Sequence, residues 1–179
     1  MKPIGEMTDA ELAAFVQSHL RKKGIDVVLS GGACVSIYSG GRYVSMDLDM
    51  VGALLAKPRE IRTAMREIGF QAAGRHFRHP GTEFLVEFLR SPLSVGEEPV
   101  RAVEERRLST GILRMISPTD CVKDRLAAYY HWNDRQCLEQ ASMVARANDV
   151  DLDEIERWSR VEGKLREFRR IKDRLTASG

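Results

Sequence analysis

The stretch that decides the fold is Leu29-Ser30-Gly31-Gly32-Ala33, followed by Ser45-Met46-Asp47-Leu48-Asp49-Met50. Ile25 to Leu29 is a short apolar run rich in β-branched residues, the pattern of a buried strand. Ala33 to Tyr38 reads as a short helix, and Gly40-Gly41 breaks the chain again. A strand running into two glycines and straight into a helix lets backbone approach a ligand closely. It also presents unpaired helix N–H groups with a partial positive charge. That is a phosphate site in outline, although the same motif also serves as an ordinary turn. Fourteen residues separate Gly32 from Asp47. From Ser45 to Met50 the pattern alternates, Met46, Leu48 and Met50 to one face and Asp47 and Asp49 to the other. The two aspartate Cα atoms are expected ~6.5–7 Å apart. Their carboxylates can then converge on ions ~3.5–4 Å apart, the spacing of a two-metal phosphoryl-transfer site. A solvent-facing strand side alternates in the same way. A short strand so close to a double-glycine turn is expected to be central, however. Two facing carboxylates there repel by about 3 kcal/mol at ~5 Å and an effective dielectric of ~20.

Working outward, Thr8-Asp9-Ala10-Glu11 reads as a capping box that opens a helix with Leu12, Phe15, Val16 and Leu20 at helical spacing, closed by Gly24. Pro58 opens a helix carrying Ile61, Met65 and Ile68. Phe84 to Leu89 reads as a strand, with a partner expected near Arg75 to Arg78, and Ser91 to Pro99 reads as a turn-rich loop. Ile112 to Ile116 offers one more strand. Ser117-Pro118-Thr119-Asp120 is a helix start, with Ser at the N-cap and Pro at N1. Beyond it the chain reads as helical, with breaks near Asn133, at Asn148 to Asp151 and at Gly163. The expected fold is α/β (α+β): an α/β core over residues 1–116 and a helical region over residues 117–179.

The 179 residues fit one domain or a domain with a small appendage. Hydrophobic residues make up 43% and charged residues 30%, a balance that excludes wholesale disorder. A net charge of +2 argues against a polycation built to coat nucleic acid. Cys34, Cys121 and Cys137 are too scattered for a disulfide framework, and no Cys-x-x-Cys pair exists for zinc. A cytoplasmic location is expected, because the N-terminus shows no signal peptide pattern and the most apolar run, Val51 to Ala56, is too short to span a bilayer.

Gly31-Gly32 followed by Ser45-x-Asp47-Leu48-Asp49 resembles the signature of the DNA polymerase β-type nucleotidyltransferase superfamily. The arrangement is most similar to the bacterial abortive-infection (AbiEii-type) toxin–antitoxin nucleotidyltransferases, in which an Arg precedes the Ser, as Arg42 does here. Asp120-Cys121-Val122-Lys123 and Asn133-Asp134 resemble that family's second motif. The resemblance covers roughly residues 25–145. It implies a nucleotidyltransferase core of a small mixed sheet flanked by helices, with the active site in the cleft facing the helical half. It implies transfer of a nucleoside monophosphate from an NTP, dependent on Mg2+ or Mn2+, to an RNA end, a protein hydroxyl or a small molecule. It further implies a possible cognate toxin or antitoxin partner. In that reading Asp47 and Asp49 hold metal with a third carboxylate on a neighbouring strand. Ser30, Gly31, Gly32 and Ser45 belong to the nucleotide site, and Lys123 reaches the phosphates.

The third carboxylate is expected to be Glu87. The strand from Glu83 to Leu89 places Glu83 and Glu87 on one alternating face and Phe84, Val86 and Phe88 on the other. Glu83 borders the Pro80-Gly81-Thr82 turn and should be solvated. Glu87 lies mid-strand, where an unpaired carboxylate is costly. Lys123 has two readings, a phosphate ligand or a lysine paired with Asp120. His76 and His79 are three apart with no nearby cysteine or carboxylate partner expected, so a zinc site there is not expected. Tyr129, Tyr130 and Trp132 suit a base-stacking role or a helix core. From Glu156 to Arg174 there are eight Lys or Arg against four acids, either an RNA-binding face or a solvated face laced with ion pairs. Besides the enzyme, two alternatives stand: a non-catalytic interaction protein with this fold, and an RNA-binding module.

Overall fold

The structure, a computed structural model, describes residues 2–52, 57–100 and 102–176. Most of the apolar run 51–56 therefore lies outside the described residues. Among those described, no helix is long and apolar enough to cross a membrane.

Helix α1 (Asp9–Arg21) starts with the expected reciprocal capping box: Glu11 N–H donates to Thr8 Oγ1 and Thr8 N–H to Glu11 Oε2. Strand β1 (Val28–Ser30) runs directly into α2 (Gly31–Tyr38), and β2 (Asp47–Val51) follows. Helix α3 (Pro58–Glu67) leads to the hairpin β3 (Gln71–Ala73) and β4 (His76–Arg78), then β5 (Leu85–Leu89). A small hairpin, β6 (Ser94–Val95) and β7 (Glu98–Pro99), occupies the segment expected to be a turn-rich loop. Trp158 Nε1 pins it by donating to Val95 O at 3.3 Å. Strands β8 (Val103–Leu108) and β9 (Gly111–Ile116) complete the sheet. Helices α4 (Pro118–Trp132), α5 (Arg135–Ala147), α6 (Leu152–Val161) and α7 (Leu165–Thr176) then break where the sequence places breaks.

The seven-stranded sheet has the order β3-β4-β5-β2-β1-β9-β8 and is mixed. Strand β2 is antiparallel to β1 and parallel to β5, and β1 is parallel to β9. Two strands lie outside the sequence reading. Strand β8, Val-Glu-Glu-Arg-Arg-Leu, is a charged edge without alternation, and β3 is exposed throughout. Charged side chains along an edge discourage another strand from pairing there, and they hide the strand from a hydrophobic pattern.

Leu48 and Met50 turn to the face covered by α1, where Gln17 Nε2 donates to Met50 Sδ at 3.5 Å and to Arg114 O at 2.8 Å. Met46 precedes the strand and is 40% exposed, so the expected alternation holds only from Asp47 onward. Helix α2 lies on the aspartate face, and α4 and α5 pack against it. Helix α2 thus lies between the aspartate face of the sheet and helices α4 and α5.

Candidate active site

Three carboxylates share one sheet face. Asp49 pairs with Glu87 across the parallel β2–β5 ladder, and Asp47 lies two residues before Asp49 on the same side. The Asp47 side chain is 53% exposed and that of Glu87 only 13%. Glu83 precedes β5 and is exposed.

The double glycine is required by close approach. Gly31 has φ +68°, and a Cβ there would collide with the Asp49 carboxylate. A Cβ on Gly32 would stand 3.0 Å from Ser45 Oγ. Ser45 is buried, and its hydroxyl donates to Asp47 O at 3.0 Å and accepts from Asp47 N–H at 3.3 Å. It therefore fixes the entry into β2. Ser30 occupies the N-cap of α2 without a side-chain capping bond. The first N–H groups of α2 consequently face the site uncapped, beside the carboxylate of Asp49.

Asp49 is pushed up to about 6, first by desolvation, then by the charges of Glu87 and Asp47; Arg125 opposes the shift. Arg125 of α4 is the helical-half cation felt by the aspartate. Its guanidinium is held by Asp124, with Nε 3.1 Å from Oδ2, and Nη1 lies 3.4 Å from Gln140 Oε1 of α5. A basic residue on a helix carries no sequence mark of the face it occupies, and Arg125 was missed for that reason.

Lys123 faces elsewhere. Its amine lies 3.0 Å from Asp120 Oδ1 and 2.9 Å from Glu154 Oε1, with a side chain only 7% exposed. The structure does not bring it to the three carboxylates. The α4 face it shares with Ala127 and Tyr130 is buried as well. Asp134 is the N-cap of α5, accepting from Gln136 N–H at 2.9 Å, and Asn133 takes the left-handed conformation that ends α4.

His76 corrects the sequence reading, which gave it no carboxylate partner. On β4 it pairs with Glu87 of β5. Its Nε2 lies 3.2 Å from Glu87 Oε2 and 3.9 Å from Asp47 Oδ1, so it sits between the two acids. Arg75 Nε lies 3.5 Å from Glu87 Oε1. His76 arrives from the neighbouring strand and Arg75 from the turn before it, by a pairing that residue spacing does not display.

The donor set suits a hard divalent cation: three carboxylates, with space at Gly31 for the Asp49 carboxylate. Among the described residues no three His, Cys, Asp or Glu side chains already form a ligand set.

No protein-family model matches the chain, and no curated protein does. Solved structures do. An antigenic nucleotidyltransferase-like protein from Paracoccidioides brasiliensis superposes with a TM-score of 0.62 at 13% identity, covering 95% of this chain and 93% of that one. The solution structure of the antibiotic-resistance factor ANT(2'')-Ia superposes with a TM-score of 0.54 at 12% identity, covering 90% of this chain and 91% of that one. This protein has a nucleotidyltransferase-like α+β fold.

Proposed function

We propose that the protein is a metal-dependent nucleotidyltransferase that moves a nucleoside monophosphate from an NTP to a hydroxyl of an RNA end, a protein or a small molecule. One observation carries this reading: Asp47, Asp49 and Glu87 share one face of two adjacent strands, directly beside the uncapped N-terminus of α2. Asp47, Asp49 and Glu87 would hold Mg2+ or Mn2+. Bound metal supplies charge neutralisation on the reacting phosphate. Residues 1–116 form the nucleotide core in this reading, and residues 117–179 close the cleft.

The backbone of Gly31 and Gly32 receives the triphosphate at the α2 N-terminus, and Ser30 and Ser45 shape that turn. Glu87 accepts the proton of the attacking hydroxyl. A bond forms from acceptor oxygen to the α-phosphorus, the bond from that phosphorus to the bridging oxygen breaks, and pyrophosphate leaves. His76 and Arg75 hold Glu87 in place before substrate arrives. Arg125 supplies positive charge from the helical half. Lys123 would serve the phosphates only by leaving Asp120 and Glu154. The resemblance of Ser45-x-Asp47-Leu48-Asp49 to the AbiEii-type motif supports a place in a bacterial toxin–antitoxin or phage-defence pair, with a cytoplasmic cognate partner.

The basic C-terminal stretch favours the paired-surface reading over RNA binding. Arg157 binds Glu98 and Glu154, Lys164 pairs with Glu167, Arg169 and Lys172 pair with Glu156, and Arg174 pairs with Glu139.

The test incubates the protein with each alpha-phosphate-labelled NTP, Mg2+ and total cell extract. Label is expected in one fraction (RNA, protein or small molecules) and absent with the Asp47→Asn/Asp49→Asn variant. Equal labelling by wild type and variant, or none with any NTP, rejects the proposal.

A further inference from the structure

We propose that the groove between α3 and the outer strands β3, β4 and β5 binds a small organic anion, a phosphate or carboxylate carried on an apolar body. The groove lies on the sheet face opposite the carboxylates. Its floor is apolar: Ile61 of α3 with Phe77 and Phe88, whose rings meet edge to face with centroids 5.4 Å apart. Its rim is cationic, with Arg62 from α3, Arg75 from the β3–β4 turn and Arg90 after β5. The cavity measures about 510 Å³, within the range of small-molecule sites.

Charge complementarity selects the occupant. Three guanidinium groups line the groove and no acidic side chain does. Among the described residues neither Arg62 nor Arg90 has a carboxylate partner within ion-pair distance. Arg75 is shared, its Nε lying 3.5 Å from Glu87 Oε1 at the sheet edge. Like charges gathered around an apolar floor repel until an anion joins them. Planar guanidinium forks match the oxygens of phosphate and carboxylate. An aromatic or aliphatic body then covers Phe77 and Phe88. A neutral apolar ligand would leave the cations unmatched, and a bare inorganic anion would leave the floor wet. Apart from Arg75, which also holds Glu87, no residue lining the groove belongs to the proposed nucleotidyl-transfer site.

The test titrates the full chain at low ionic strength with 1-naphthyl phosphate, 1-naphthoate and neutral 1-naphthol, followed by calorimetry. Low salt matters because exposed charges are screened over ~10 Å at 0.1 M. At least one of the two anions is expected to bind about tenfold more tightly than 1-naphthol, the value of one charge-assisted hydrogen bond. The stronger of the two arms identifies phosphate or carboxylate as the group recognised. Arg62→Gln and Arg90→Gln should each weaken that anion severalfold. Arg66→Gln, on the same helix but outside the groove, should not. All three side chains are exposed, so the variants should fold. The proposal is overturned if neither anion binds better than 1-naphthol. It is equally overturned if the Arg62→Gln/Arg90→Gln double variant keeps full anion affinity, which would place the binding elsewhere, for example at the α2 N-terminus.

Discussion

Asp49→Asn should stabilise the metal-free protein, and the size of the gain follows from the site. The Asp49 carboxylate is half-buried against Gly31 and accepts no hydrogen bond among the described residues. Its raised value of about 6 compares with an ordinary 3.8. Burial is the first cause, and repulsion from Glu87 and then Asp47 adds to it. A shift of ~2 units corresponds to about 3 kcal/mol between charged and neutral forms. Residual solvent access and the positive end of α2 reduce this, leaving about 1–2 kcal/mol. The sign follows from proton linkage. The native state binds the proton more tightly than the unfolded chain, so ionised Asp49 costs stability above pH 6. That cost fades as the pH falls through 6 and is gone below ~4, where both states are protonated. At pH 7.5 without metal, Asp49→Asn should raise Tm by roughly 3–6 °C for a chain of this size. The gain should vanish in melts near pH 4. Added Mg2+ should raise the Tm of the wild type more than that of the variant, which lacks one of the three carboxylates. A variant that melts below the wild type at pH 7.5 would refute the account and make Asp49 a structural residue.

Lys123→Ala should lower stability by about 2–3 kcal/mol in denaturant unfolding, since Asp120 and Glu154 would face each other without their shared cation. An unchanged midpoint would mean that the amine is not committed to that cluster. Gly31→Ala should cost about 1–2 kcal/mol for its left-handed backbone plus the collision with Asp49, as read by thermal melts. The collision part should disappear in an Asp49→Ala background, so a cost equal in both backgrounds would contradict the close approach. Glu87→Gln should eliminate transfer of labelled nucleotide, whereas Glu83→Gln should leave most of it. The reverse order would contradict the β2–β5 register.

The elements that organise the site were legible because their signals are local. Gly31 and Gly32, the Asp47–Met50 alternation, the Thr8 capping box and the Ser117-Pro118 start each lie within a few residues. Physical rules for turns, pleats and caps act over that distance. Even the Glu87 assignment rests on a local argument, that a mid-strand carboxylate needs a partner. The ladder sets Glu87 beside Asp49 across the parallel pair, and its ion partners are His76 and Arg75. Strands β3 and β8 escaped because exposed or charged edges lack the periodicity that marks a half-buried strand.

What the sequence hid is where cations go, and this changes how the site is expected to work. A carboxylate must solve its burial problem on its own strand or directly across, so spacing constrains it. A long basic side chain reaches several ångströms from its Cα, so neighbouring residues on one helix can serve different partners. Lys123 and Arg125 are two apart on α4. One amine closes a buried cluster with Asp120 and Glu154, while the other cation acts on Asp49. His76 and Arg75 reach Glu87 only because β4 pairs with β5. Positive charge at the carboxylates thus comes from two directions, the edge hairpin and the helical half. Removing the hairpin's share alone should therefore disturb the surroundings of Glu87 more than those of Asp49. In carboxyl-carbon NMR spectra recorded without metal at one pH, His76→Gln should move the Glu87 resonance, whose oxygen lies 3.2 Å from His76 Nε2, more than that of Asp49. Equal movement of both would show that the hairpin does not address Glu87 separately.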